Sequence, residues 1–164
     1  MKQAVLDAYA ILAWMQQEPC AQVVSNLFAQ AEQEDIELFL SCINAGEVYY
    51  RLYKTAGSKA ANDFKEALLQ HKFPLMLVSA SNTRVWRVCG LKGQYRISYA
   101  DAFAIELAID KGGQLVTGDP EILALAAQGV VDTCDLTSIG DHSTEGSEWL
   151  LNDAAHKFKV REDQ

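Results

Sequence analysis

Asp101 stands in Ile97-Ser98-Tyr99-Ala100-Asp101-Ala102, at the head of a helix-forming stretch. At about 100° per residue it shares a helix face with Ala104, Ile105 and Ala108, whereas Glu106 and Asp110 fall on the opposite side. A carboxylate with such neighbours is headed for a cleft or for burial. Asp7 directly follows the apolar pair Val5-Leu6, and Asp119 closes Leu115-Val116-Thr117-Gly118-Asp119, so both stand where a strand gives way to a helix. Carboxylates delivered from separate elements to one hollow are what metal-assisted phosphodiester hydrolysis requires. Hard Mg2+ or Mn2+ prefers oxygen donors and keeps positions open for water and phosphate.

Each acid also has a local explanation. Ser98-x-x-Asp101 is a helix-capping arrangement favoured by the helix dipole. Asp7 can cap the helix beginning at Ala8, and Asp119 before Pro120 is an ordinary N-cap. Glu47 shares its helix face with Asn44, Arg51 and Lys54, which makes a solvated stripe with a Glu47–Arg51 ion pair an equally good account. Periodicity alone leaves both roles open at every one of these positions.

Other chemistries have less support. Cys20, Cys42, Cys89 and Cys134 are widely spaced and form no C-x-x-C pair, and His71, His142 and His156 are scattered. Zinc-ligand spacing and a Ser-His-Asp triad are therefore both unsupported, and a catalytic metal must rely on oxygen ligands. The net charge of −8 counts against a simple DNA-binding module, which would cluster Lys and Arg. Bound divalent cations would invert the field of a carboxylate pocket and soften that objection.

The elements that must position these acids can be read from the pattern. Val5-Leu6 predicts a strand, and Ala10, Ile11, Ala13 and Trp14 a helix ended by Glu18-Pro19. Ala21 to Glu34 reads as a helix, Glu37 to Leu40 as a strand, and Ser41 as the cap of a helix from Cys42 to Tyr53. Gly57-Ser58 separates that helix from another over Lys59 to His71, and Leu75 to Val78 is a third strand. Asn82 is expected to cap a helix running to Gly90, and Ser98 one from Tyr99 to Asp110 ended by Gly112-Gly113. Leu115 to Thr117 is a fourth strand, Ile122 to Ala127 a helix, and Val130-Val131 begins a fifth strand. Alternating strands and helices predict an α/β fold with a mostly parallel sheet of four or five strands, whose ligands bind beyond the strands' carboxyl ends.

The 164 residues, 49% hydrophobic and 22% charged, fit one soluble domain. No stretch approaches the ~20 apolar residues of a membrane helix, and Asp7 interrupts the N-terminus before a signal-peptide core could form. A cytoplasmic location with no membrane association is expected.

Four segments, Val5-Leu6-Asp7-Ala8, Asn44-Ala45-Gly46-Glu47-Val48, Ile97-Ser98-Tyr99-Ala100-Asp101-Ala102 and Leu115-Val116-Thr117-Gly118-Asp119-Pro120-Glu121, resemble the successive motifs of PIN domains, in the family's order. The likeness covers roughly residues 1–137, is most specific in the last two motifs, and is nearest to VapC-like toxins of toxin-antitoxin pairs. It implies a three-layer α/β/α sandwich, often homodimeric, Mg2+- or Mn2+-dependent cleavage of RNA, and a cognate antitoxin. It also implies that Asp7, Glu47, Asp101 and Asp119 form the acidic quartet that binds metal, supported by Thr117, Asn44 and Ser98.

Arg84, Arg87, Lys92 and Arg96, interleaved with Trp86 and Tyr95, are a candidate substrate track, with Arg51 and Lys54 as auxiliaries. The competing account is a solvated face with Trp86 in the core. Residues 138–164 form an appended tail with a short helix around Trp149 to Phe158, able to pack on the domain, mediate assembly or lie across the acidic groove. Alternative functions are RNA processing or DNA cleavage by the same site, or a catalytically silent PIN-like binding module. A phosphoaspartate enzyme is disfavoured: Asp7-Ala8-Tyr9 lacks a second acid, and Leu115 to Asp119 lacks a lysine.

Overall fold

The computed structural model describes residues 1–140. The tail expected from residue 138, with its short helix, lies outside the described residues from position 141 onward. Strands β1 (Lys2–Leu6), β2 (Ile36–Ser41), β3 (Met76–Val78), β4 (Gln114–Thr117) and β5 (Thr133–Asp135) form one sheet in the order β3-β2-β1-β4-β5. Every pairing is parallel, with Leu6 opposite Leu40 on one side and Val116 on the other. All-parallel sheets need cover on both faces, because crossover connections place helices there.

That cover splits the core in two. Leu6, Leu38, Leu40 and Val116 pack under helices α1 (Ala8–Met15), α2 (Ala21–Glu32) and α3 (Cys42–Leu69). Val5, Phe39 and Leu115 point the other way, toward α4 (Asn82–Gln94), α5 (Tyr99–Lys111) and α6 (Pro120–Ala126). The two-residue alternation of each central strand thus feeds two separate hydrophobic layers. The expected three-layer α/β/α sandwich is the observed architecture, and all five strands are parallel.

Several boundaries differ from the sequence expectation. Gly57, at φ 89° and ψ 171°, breaks α3 into two helical halves, as the Gly57-Ser58 pair led one to expect, with the first half running beyond Tyr53 up to the kink. Ser81, not Asn82, caps α4 by accepting from Arg84 N, and the helix continues through Gly90 to Gln94. The fifth strand begins at Thr133, because Val131 is buried in the turn that leads into it. Among the described residues, no helix is long and apolar enough to cross a membrane.

Strand order reverses direction between β1 and β4, which creates the crevice beyond the carboxyl ends where parallel α/β sheets bind ligands. Asp7 follows β1 and Asp119 follows β4, so two of the candidate acids flank that crevice.

Candidate active site

Asp7 is 2% exposed, yet both of its carboxylate oxygens are engaged. Oδ1 accepts from Ala10 N at 2.8 Å, capping α1, and Oδ2 accepts from the Thr117 hydroxyl at the end of β4. Thr117, completely buried, also accepts from Asp119 N at 2.9 Å. One hydroxyl therefore ties the two strand ends together. Asp119 Oδ1 accepts from Glu121 N at 2.8 Å and Ile122 N at 3.3 Å, so the N-cap expected ahead of Pro120 is present.

Asp101 occupies the first turn of α5 and is half-buried. Ser98 Oγ donates to Asp101 Oδ2 at 2.5 Å and accepts from Asp101 N at 3.0 Å. Capping and proximity to the crevice are compatible here, because the cap fixes the carboxylate while leaving Oδ1 outside these bonds.

The acids feel one another. Burial pushes Asp7 up to about 7; hydrogen bonds from Thr117 and Ala10 oppose the rise, and the charges of Asp101 and Asp119 add to it. Asp101 is also raised, by burial first, with Asp119 contributing, while Ser98 and the Arg51 charge work against it. The charges of Asp101 and Asp119 thus reach Asp7, and that of Asp119 reaches Asp101, each behind burial as the cause of the rise.

Glu47 is not among the principal charges acting on Asp7 or Asp101. It lies on α3 with its side chain 15% exposed and pairs with Arg51 Nη2 at 2.8 Å, the i,i+4 ion pair readable from sequence. The Arg51 charge also weakly opposes the rise that burial imposes on Asp101. Asn44, one turn before Glu47, is buried and donates from Nδ2 to Ala100 O at 3.2 Å, fastening α3 to the first turn of α5. Its Oδ1 is buried without a partner. Among the described residues, no three His, Cys, Asp or Glu side chains stand close enough together to hold a metal ion, so the predicted quartet is not assembled as a metal site in this structure.

The candidate substrate track is not an open cationic surface. Arg84 pairs with Glu106 and, at 3.0 Å, with Asp110; Arg87 reaches Glu106 at 3.3 Å and Asp110 at 2.9 Å. These ion pairs join α4 to α5 around Glu106, which is 4% exposed. Lys92 Nζ donates to Ile97 O at 2.7 Å, and Arg96 is exposed. Trp86 is 74% exposed, which removes the alternative that placed it in the core.

Two features escaped the sequence reading. A Cβ on Gly118 would stand 2.3 Å from Tyr9 Cε1, so the turn between Thr117 and Asp119 is shaped around the Tyr9 ring. Nothing in Asp7-Ala8-Tyr9 announces that contact. The buried Glu106 was foreshadowed only by Arg84 and Arg87, three apart on the facing helix.

Comparison with known proteins bears on this arrangement. A PIN domain family model matches residues 4–128. No curated protein sequence matches. Among solved structures, VapBC2 from Rickettsia felis, bound to a DNA fragment from its promoter, is similar with a TM-score of 0.62 at 16% identity, over 81% of this chain and 98% of that one. DNA-bound VapBC from Salmonella typhimurium gives 0.61 at 13% identity, over 83% and 99%. Mycobacterium tuberculosis VapC20, a sarcin-ricin loop cleaving toxin, gives 0.59 at 14% identity, over 74% and 94%. At these identities the structural likeness speaks for the fold, and the family match spans most of the chain. With its parallel sheet, its crevice at the strand reversal and that family match, the chain belongs to the PIN-domain family.

Proposed function

We propose that the protein is a divalent-cation-dependent endoribonuclease and the toxin of a toxin-antitoxin pair. The observation that carries this reading is the shared field of Asp7, Asp101 and Asp119 at the crevice of a PIN fold. Asp7 and Asp101, raised first by burial and then by neighbouring carboxylate charge, would be relieved by a divalent ion. The donor set fits a hard one, because every candidate ligand is an oxygen, and Asp101 Oδ1 and Asp119 Oδ2 stand outside the capping bonds.

In this reading Asp7, Asp101 and Asp119 hold the cation, and Glu47 serves as the fourth acid from α3. When bound, the cation supplies Lewis-acid polarisation of the phosphate and a water of lowered pKa. Thr117 orients Asp7 and the Asp119 backbone, Ser98 orients Asp101, and Asn44 sets the first turn of α5 against α3. The toxin character of the structural neighbours supports an antitoxin partner, and sarcin-ricin loop cleavage by one of them supports RNA as the polymer. Homodimeric assembly and a cytoplasmic location belong to the same reading.

The test is cleavage of single-stranded RNA, with DNA as the comparison arm, in the presence and absence of Mn2+. Wild type is expected to cut RNA only with the cation, and Asp101→Asn to be inactive. Full activity without a divalent ion, or in Asp101→Asn, would contradict the reading.

A further inference from the structure

A cavity of about 430 Å3 opens between α1 and α3, its lining including the aromatic Tyr9 and Tyr50, the cationic Arg51 and Lys54, the apolar Leu12 and one carboxylate, Glu18. Two contacts place it beside the acids. Tyr9 forms one wall and packs against Gly118, between Thr117 and Asp119. Arg51 forms another, pairs with Glu47 and bears on Asp101.

The cavity carries cationic and aromatic groups together. Tyr50 is 47% exposed, and Lys54 Nζ lies 5.3 Å from the centroid of its ring. A ring face that attracts an ammonium also accepts a stacked base, and the displaced lysine can turn to a phosphate. Charge balance argues for this location. Arg84 and Arg87 are neutralised by Glu106 and Asp110, so a polyanion approaching this chain of net charge −8 must find its cations elsewhere. Lys54 is exposed with its ammonium over the Tyr50 ring, whereas Arg51, less than one helical turn away and also exposed, must exchange its Glu47 ion pair for a phosphate.

We infer that the α1–α3 cavity is a nucleotide subsite, in which Tyr50 stacks a base flanking the scissile phosphodiester while Lys54 and Arg51 hold the adjoining phosphate. The volume lies within the range of small-ligand sites, roughly 300–1,000 Å3. This inference rests on the nuclease reading, and its test separates the two. Tyr50→Ala and Lys54→Ala change exposed side chains and leave the carboxylates intact.

Both variants are expected to raise KM for single-stranded RNA roughly tenfold with kcat little changed, while Tyr50→Phe retains wild-type values. Lys54→Ala should also reduce the salt slope of binding by about one, measured by fluorescence anisotropy of a labelled RNA in the Asp101→Asn background with Mg2+. A cleaving wild type whose KM and RNA affinity are untouched by either substitution overturns the subsite and leaves the nuclease standing. Loss of RNA affinity in the variants of a protein that never cleaves upholds the subsite and overturns the nuclease. Unchanged RNA binding with lost antitoxin binding would make the cavity a protein-docking site and defeat the inference.

Discussion

Thr117 donates its hydroxyl hydrogen bond to Asp7 Oδ2 across 110 residues of sequence, at a point where neither side chain meets solvent. The Thr117 hydroxyl oxygen also accepts from Asp119 N, so this one group joins the two acids beyond the paired ends of β1 and β4. A hydroxyl is needed, since only a group that both donates and accepts can satisfy a carboxylate and an amide at once.

Thr117→Val keeps the volume and removes both bonds. Leaving a buried carboxylate oxygen and an amide unpaired should cost about 1–3 kcal/mol of stability. Misplacement of the acids should lower kcat/KM by roughly 10–100-fold, the range found when groups that orient metal ligands are removed. Thr117→Ser should recover most of both losses, read by thermal denaturation and RNA cleavage.

The raised pKa of Asp7 gives stability a definite pH dependence. Its folded value of about 7 lies above the ordinary 3.8, so between those values the folded protein keeps a proton that the unfolded chain releases. Stability from this group is fully present below the unfolded pKa, falls as pH rises through that window, and levels off above about 7, for a loss on the order of a few kcal/mol. A divalent cation competes with the same proton. Addition of Mn2+ should therefore raise the Tm more at about pH 8 than at about pH 5.5, and Asp7→Asn should flatten the pH dependence.

Arg84 supports structure, and its removal should show as lost stability. Arg84→Ala leaves the buried Glu106 with Arg87 as its one remaining cation among the described residues, a change expected to cost on the order of 3 kcal/mol. Replacing Arg84 with Met and Glu106 with Leu together should recover much of that loss. Activity per folded molecule should stay near wild type in both variants. A selective rise in KM without loss of stability would instead restore Arg84 to the substrate path.

The legible part of this molecule is the part decided locally. Asp119-Pro120 and Ser98-x-x-Asp101 announced their caps, and both caps form because their donors lie two or three residues away. The alternation of strands and helices announced the parallel sheet. Ser81 and Asn82 are both competent caps, and only the packing of α4 decides between them. Trp86 is apolar and adjacent to Val85, but Val88 carries the buried face of α4 and leaves Trp86 outward. The pairing of Arg84 with Glu106 spans 22 residues and two helices, so charge spacing within α4 could not reveal it. At the acids, sequence left capping and catalysis as alternatives, whereas the fold shows that capping does not preclude a shared field.

Calorimetric titration of the purified protein with Mn2+ tests the central claim most directly. Wild type should bind the ion saturably, more tightly at about pH 8 than at about pH 6, and the paired substitution of Asp101→Asn with Asp119→Asn should abolish that binding while the protein remains folded. Equal Mn2+ affinity in the folded double variant would contradict the claim that these carboxylates hold the cation.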